Sequence, residues 1–174
     1  MAKSYRNITP ELVAVFRGLF SYNPVTGILT SKNGSCQKNI GDAVGSISRQ
    51  SGYVKITYKR KLYQGHRVCW AIHYNEVPPD EIDHKDTVRH HNWIDNLREA
   101  TSSTNKANKF FHKNNTSGYK GVSLFKRTGR YRATIAGRIH IGYFDTPEQA
   151  AVAYDAELIS RYGEFARTNF GDQK

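Results

Sequence analysis

Hydrophobic positions along this chain alternate between a helical and a strand period, and the switches outline its elements. Thr9-Pro10-Glu11 supplies a cap, a proline at the first helical position and an early acid. Leu12, Phe16, Leu19 and Phe20 then recur at helical spacing, which predicts one short amphipathic helix. Asn23-Pro24-Val25-Thr26-Gly27 is turn chemistry leading into a short strand over residues 28–30. Residues 31–51 are rich in Gly, Ser, Lys and Asn, so a loop is expected there with a brief strand over 43–47. From Gly52 the period shortens. Residues 53–58, the basic turn Lys59-Arg60-Lys61 and residues 62–64 read as a hairpin. Residues 66–74 return to helical spacing, with Val68, Ala71 and Ile72 on one face and Pro78-Pro79 as a stop beyond.

The polar, turn-forming run Asn114-Asn115-Thr116-Ser117-Gly118 reads as a linker. A boundary near residue 112 divides the chain into domains 1–111 and 112–174. Past the linker, strand-like runs at 121–126, 130–135 and 138–144 are separated by Thr128-Gly129 and Ala136-Gly137, a spacing that predicts a three-stranded antiparallel meander. Thr146-Pro147-Glu148-Gln149 is a capping-box helix start. Its expected buried stripe is Ala150, Ala153, Tyr154, Glu157 and Leu158, and Gly163 closes the helix. The class is α+β, with a small three-stranded sheet packed on one helix at the C-terminal end.

Charge changes this picture. Lys and Arg outnumber Asp and Glu by 26 to 15, and a net +11 on 174 residues favours polyanionic partners, although a basic solvated surface would look the same in composition. The distribution is more informative. No carboxylate occurs between Glu99 and Asp145, while Lys106, Lys109, Lys113, Lys120, Lys126, Arg127, Arg130, Arg132 and Arg138 do, interleaved with Phe110, Phe111, Tyr119, Phe125 and Tyr131. Such a stretch suits a phosphate backbone, whose neutralisation releases counterions. Cys36 and Cys69 lack Cys-x-x-Cys spacing, so free thiols are expected rather than a disulfide framework or cysteine zinc site. No apolar run nears the roughly 18 residues of a membrane helix, and the N-terminus lacks a signal-peptide pattern, so a cytoplasmic protein without membrane association is expected.

The densest chemistry lies in Ile82-Asp83-His84-Lys85-Asp86, Asn92-Trp93-Ile94-Asp95-Asn96-Leu97-Arg98 and residues 101–108. Cutting a phosphodiester needs a base for water, positive charge at the phosphate and something to orient the base. His84 suits the base, since imidazole titrates near neutrality, and Asn96 could fix its tautomer. On a strand Asp83 points away from His84, so its carboxylate could hold a metal without quenching the base. Asn105, on a helix capped by Thr101 or Ser102, could add a second oxygen ligand. Each residue alone is also an ordinary turn or cap residue. His90 and His91 leave open a histidine zinc site, or simply an exposed basic loop.

This segment resembles the ββα-metal core of HNH-family nucleases, especially the phage and intron homing type, over roughly residues 10 to 110. The resemblance implies that His84 is the general base and that Asn96 orients it. It also implies that Asp83 and Asn105 bind one divalent cation per site, Mg²⁺ or Mn²⁺, which stabilises the 3′ leaving oxygen. His66-Arg67 matches a recurring family feature, structural or phosphate-contacting, and Arg67 is counted among the candidate DNA contacts. The family's usual Asp-Gly-Asn is here Asp86-Thr87-Val88.

Residues 116–170 resemble the APETALA/ethylene-response-factor (ERF) domain. The likeness rests on Tyr119-Lys120-Gly121-Val122, Arg130-Tyr131-Arg132-Ala133-Thr134-Ile135, Ile141-Gly142-Tyr143-Phe144, the run 148–155 and Asn169-Phe170. It implies a sheet laid in the major groove of double-stranded DNA, with Arg127, Arg130, Arg132, Arg138 and His140 facing it. Tyr131 and Phe144 are expected in the core. Ser123 and Phe125 stand where plant domains usually carry base-reading arginines, so the plant sequence preference does not transfer. Together the two resemblances imply a phage-borne or mobile-element homing endonuclease, a monomer or a DNA-assembled dimer, that leaves 5′-phosphate and 3′-hydroxyl ends. One site per chain implies nicking. The alternatives are a non-catalytic sequence-specific DNA-binding regulator and an RNA substrate.

Overall fold

The computed structural model describes residues 7–34, 38–109 and 115–171, and there the chain is α+β, with helices and several small antiparallel sheets. It forms two compact units, Met1–Thr101 and Ser102–Lys174. The boundary expected near residue 112 and the thiol of Cys36 lie outside the described residues.

In the first unit, α1 (Pro10–Leu19) starts at the expected cap: the Thr9 hydroxyl accepts the Leu12 N–H at 3.4 Å, and Pro10 sits where no N–H is missed. Its buried Val13 and Phe16 lead into Phe20, the first residue of β1 (Phe20–Tyr22), which pairs with β2 (Leu29–Ser31). Phe16 is fully buried, with the Phe20 and Tyr63 rings at 5.9 and 5.2 Å, and burial of one such side chain contributes about 1.5–3 kcal/mol.

The sheet of β3 (Ser46–Ile47), β4 (Val54–Tyr58) and β5 (Lys61–Gln64) contains the expected hairpin. Its turn holds Lys59 and Arg60 at φ 46° and 61°, the twist a two-residue hairpin turn requires. Directly after β5, α2 (Gly65–Tyr74) buries Val68, Cys69, Trp70 and Ala71, and it ends on Asn75 in the left-handed region, ahead of the prolines. Cys69 is a free, buried thiol. β6 (Glu81–His84) and β7 (Leu97–Ala100) form an antiparallel pair joined by a loop with a 3₁₀ turn at Ile94–Asn96. A lone two-stranded pair is marginal in water; here Ile82 and Leu97 anchor it in the apolar core.

The second unit opens with α3 (Ser102–Ala107), whose last carbonyl accepts the Arg167 N–H at 3.2 Å and the Lys120 ammonium. The expected meander is β8 (Val122–Phe125), β9 (Arg130–Ile135) and β10 (Ile139–Phe144), in the order β10-β9-β8, backed by α4 (Pro147–Tyr162). Thr146 caps α4 by accepting the Gln149 N–H. Gly121, at φ 76°, is required here, because a Cβ would lie 2.0 Å from the Tyr154 ring.

The buried stripe of α4 is rotated from the expected one. Ala150, Tyr154 and Leu158 are buried as expected, but Ala151 and Asp155 replace Ala153 and Glu157. The cause is a polar knot: the Asp155 carboxylate accepts the backbone N–H groups of Asn169 and Phe170 and the Asn169 side-chain amide, while Asn169 Oδ1 accepts the Lys120 N–H at 2.7 Å. A buried carboxylate so bonded costs little. Among the described residues no helix is long and apolar enough to cross a membrane.

Candidate functional site

β6 places Asp83 and His84 side by side in sequence, both buried and each opposite a different partner on β7. Arg98 faces Asp83 across the pair, and its Nε and Nη2 both donate to Asp83 Oδ2, at 3.1 and 2.9 Å. The two side chains are 10% and 7% exposed, so the attraction is little screened by water. The Asp83 carboxylate is therefore already engaged by a cation belonging to the fold.

His84 sits among rings. The His66 ring meets it edge-on at 5.1 Å, and Tyr53 lies 5.9 Å from His84 and 5.3 Å from His66. His84 Nε2 is 3.2 Å from Asn92 Oδ1, and a carboxamide oxygen can only accept, so the ring proton is on Nε2 and the basic lone pair on Nδ1. Burial is the largest influence on this imidazole and pushes its pKa below the ordinary histidine value; the Asn92 hydrogen bond and the charges of Asp86 and Asp83 partly oppose it. Burial thus favours the neutral form of His84, the form a base requires. His66 is driven well below that value too, first by burial and then by His84 and Arg67, and among the described residues its buried Nδ1 has no hydrogen-bond partner.

The expected orienting contact from Asn96 is made by Asn92 instead. Asn96 is occupied in the loop: its Oδ1 accepts the Asp86 N–H at 3.0 Å, and its Nδ2 donates to Asp86 Oδ1 at 3.0 Å and to the His91 carbonyl at 2.8 Å. These bonds fix the loop between β6 and β7. Thr87 completes this turn at φ 66°, taking the left-handed conformation that glycine adopts without strain.

Asn92 is held from far away in sequence. The Tyr22 hydroxyl donates to the Asn92 carbonyl at 2.7 Å, and Ile94 N–H donates to the Pro24 carbonyl at 2.9 Å. Gly27, at φ 73°, lets the segments close, since a Cβ there would lie 2.4 Å from Trp93 N and 2.5 Å from the Asn92 carbonyl carbon. The sequence singles out neither Asn92 nor Tyr53 as a site residue, and it marks His66 only together with Arg67, as structural or phosphate-contacting. The one available signal was that Asn92 stands inside the Asp-His to Asn-Leu-Arg stretch.

Arg67, expected to be structural or phosphate-contacting, donates to the carbonyls of Pro79 and Asp80 from Nη1 and to that of Pro78 from Nη2, tying α2 to the loop before β6. Burial lowers its pKa. Asn105 lies in α3, in the second unit. Among the described residues no three His, Cys, Asp or Glu side chains gather as a metal site. The zinc alternative at His90 and His91 finds no support there, and His91 Nδ1 meets Asp86 Oδ2 at 2.6 Å. A hard cation of the Mg²⁺ kind is different, being commonly held by one or two carboxylates with water and substrate phosphate completing its shell. The carboxylate of Asp83 is a donor of the right chemistry for such an open site.

In the second unit alternation along β9 sends Ala133 and Ile135 inward, while Arg130 and Arg132 are exposed. Tyr131 and Phe144 pack against the core, as expected. Arg127, Arg138 and His140 are exposed. Arg130 is not available in the same way as Arg132: its Nε pairs with Asp145 at 2.9 Å and its Nη2 donates to the Tyr143 carbonyl at 3.0 Å.

Residues 63–107, from β5 through α3, match the family model described as HNH endonuclease, which supports a nuclease acting on DNA. Every candidate of the first catalytic set, from Asp83 to Asn105, falls inside that stretch. Over 58 residues, 32% of this chain, the sequence is 40% identical to APETALA2-like protein 2 of Oryza sativa, in both subspecies indica and japonica, covering 13% of that protein. It is 38% identical over 58 residues to the AP2-like ethylene-responsive transcription factor TOE2 of Arabidopsis thaliana, covering 12% of it. The chain thus spans only 12–13% of the length of these relatives. No solved structure matches the chain.

Proposed function

We propose that this chain is a divalent-metal-dependent DNA endonuclease in which His84 is the general base and the outward face of the β8–β10 sheet holds double-stranded DNA. The observation that carries the reading is His84 itself: a buried, neutral imidazole with its Nε2 proton held by Asn92, inside the stretch that matches the HNH endonuclease model. In the reaction His84 Nδ1 takes a proton from water, the water oxygen bonds to phosphorus, and the 3′ oxygen leaves with the bonding pair and takes up a proton from solvent. The products are a 5′-phosphate and a 3′-hydroxyl.

Asp83 would hold the cation, and Asn105 enters as a second ligand from the sequence resemblance alone. A bound Mg²⁺ or Mn²⁺ would supply positive charge for the scissile phosphate and the leaving oxygen. Asn92 orients the base, Asn96 keeps its loop in shape, and Arg67 positions α2. Arg127, Arg132, Arg138 and His140 are assigned to DNA, and Arg130 acts by bracing the sheet edge. The division of labour is a nuclease domain over 1–111 and a DNA-binding domain of the APETALA/ERF kind over 112–174. One base per chain favours nicking, and a phage or mobile-element origin suits a homing role.

The test is incubation of supercoiled plasmid with Mg²⁺ and with EDTA. Nicked circles that DNA ligase reseals are expected with Mg²⁺ alone. Salt-sensitive binding with no nicking in either would overturn the catalytic reading and favour a DNA-binding regulator.

A further inference from the structure

The exposed face of the second unit carries an aromatic ridge as well as cations. Phe125 on β8 stands in register with Arg130, and Tyr143 on β10 with Arg132 of the strand between them. The Phe125 and Tyr143 rings nevertheless come within 5.2 Å, meeting over β9, and His140 extends the row at 4.8 Å from Tyr143. Arg127 lies over the Phe125 ring at 5.4 Å, and Tyr143 keeps 38% of its surface open. Arg130, held by Asp145, leaves Arg132 as the β9 guanidinium for a phosphate.

A duplex is read through hydrogen bonds to base edges in the major groove. A ridge of phenyl and phenol rings has little to offer those edges at the centre of the sheet. Unpaired bases present flat faces instead, and rings flanked by cations are how proteins hold single strands. Charge selects a nucleic-acid occupant, because no carboxylate occurs from residue 100 to 144 and the exposed Asp145 is paired with Arg130.

We propose that the Phe125–Tyr143–His140 ridge takes the unpaired bases of single-stranded DNA by stacking, with Arg127 and Arg132 on the adjoining phosphates. This rests on the nucleic-acid role given above to the second unit and makes the displaced or nicked strand a ligand of the sheet beside the duplex.

The test uses the full chain in EDTA and measures binding to a single strand of about 16 nucleotides, near the upper site size of one such module, and to the duplex of the same sequence. Phe125→Leu and Tyr143→Leu are each expected to weaken single-strand binding about tenfold or more, the scale of a lost stacking partner, and duplex binding less than about threefold. Phe125→Tyr should keep the affinity. Arg132→Gln should weaken both ligands and lower the salt slope by about one phosphate's share. Single-strand binding by the Leu variants at wild-type strength, or equal losses on strand and duplex, would overturn the stacking proposal while leaving the DNA-binding reading intact. Should Arg132→Gln and Arg138→Gln leave both affinities untouched, the nucleic-acid role of the sheet falls, and the ridge proposal with it. Because a Leu variant can fail to fold, a 2-aminopurine base in the strand gives a second readout on the wild type: its fluorescence should drop further on saturating binding, and no change would contradict stacking.

Discussion

The two units treat polar chemistry in opposite ways. In the first, Ser31, His66, Asp83, His84, Asn92 and Asn96 are buried, and most of the site residues among them answer one another: Asp83 with Arg98, His84 with Asn92, Asn96 with Asp86. In the second, the interior is built from small and apolar side chains, with Asn108 and the Asp155 knot as its buried polar groups among the described residues, and exposed cations and the Phe125–Tyr143 ridge lie on the sheet's other face. The contrast is what the two proposed tasks require. A base that must stay neutral and oriented gains from a dry, bonded setting, where each buried polar group also becomes a point of failure. A face that grips a polyanion needs wet charges, whose individual removal costs the fold little.

The largest effect should come from breaking the buried pair. Arg98→Ala removes the cation that donates twice to the buried Asp83 carboxylate and should destabilise the first unit by about 3–5 kcal/mol. Both tryptophans, Trp70 and Trp93, lie in that unit, so denaturant unfolding followed by tryptophan fluorescence reads it alone. A change below about 1 kcal/mol, the size of an exposed pair, would erase the contrast on the first side. The counterpart in the second unit is Gly121→Ala, which combines overpacking against Tyr154 with a left-handed backbone and should cost about 2–5 kcal/mol. It should lower the amide exchange protection of β8–β10 without moving the tryptophan transition. A shift of both together would mean that the units do not unfold separately.

The pH responses should also diverge. His66 and His84 both have pKa values lowered in the fold, mainly by burial, so the unfolded chain binds protons first. The first unit should hold its full stability above the unfolded histidine pKa of about 6.5 and lose it as pH falls below. Lys120, brought down to about 8 chiefly by burial, works on the alkaline side. Between about 8 and the unfolded lysine value near 10.4, the second unit should gain stability as pH rises. Tryptophan fluorescence and amide exchange across pH 5 to about 10 would separate the two, and parallel curves would refute the difference. The smallest effect is Thr87→Gly, which relieves a β-branched residue at φ 66° and should stabilise the first unit by about 1 kcal/mol. A loss would show that the Thr87 side chain contributes more than its strain.

What could be read from the sequence was whatever local chemistry dictates. The Thr9 and Thr146 caps, the hairpin about Lys59-Arg60 and the alternation in β9 depend on neighbours a few residues apart, and the structure has them. The site was legible as a stretch but not in its wiring. Asn92 meets His84 because Tyr22, Pro24 and Gly27 hold its backbone, contacts some 70 residues apart that no spacing rule reports. The sequence leaves Arg67 either structural or phosphate-contacting, because no spacing reveals that three carbonyls of the 78–80 loop meet its guanidinium. The stripe on α4 turned for a similar reason: Asp155 is drawn inward by Asn169, a residue beyond the helix.

The central claim is that His84 is the base, and single-turnover nicking of a duplex in Mg²⁺ by the wild type and by His84→Ala tests it most directly. With the fold of the variant verified by tryptophan fluorescence, the rate should fall by about 10² to 10⁴, the range for loss of a general base. A variant that nicks within about threefold of the wild-type rate, well short of that range, would remove His84 from the reaction.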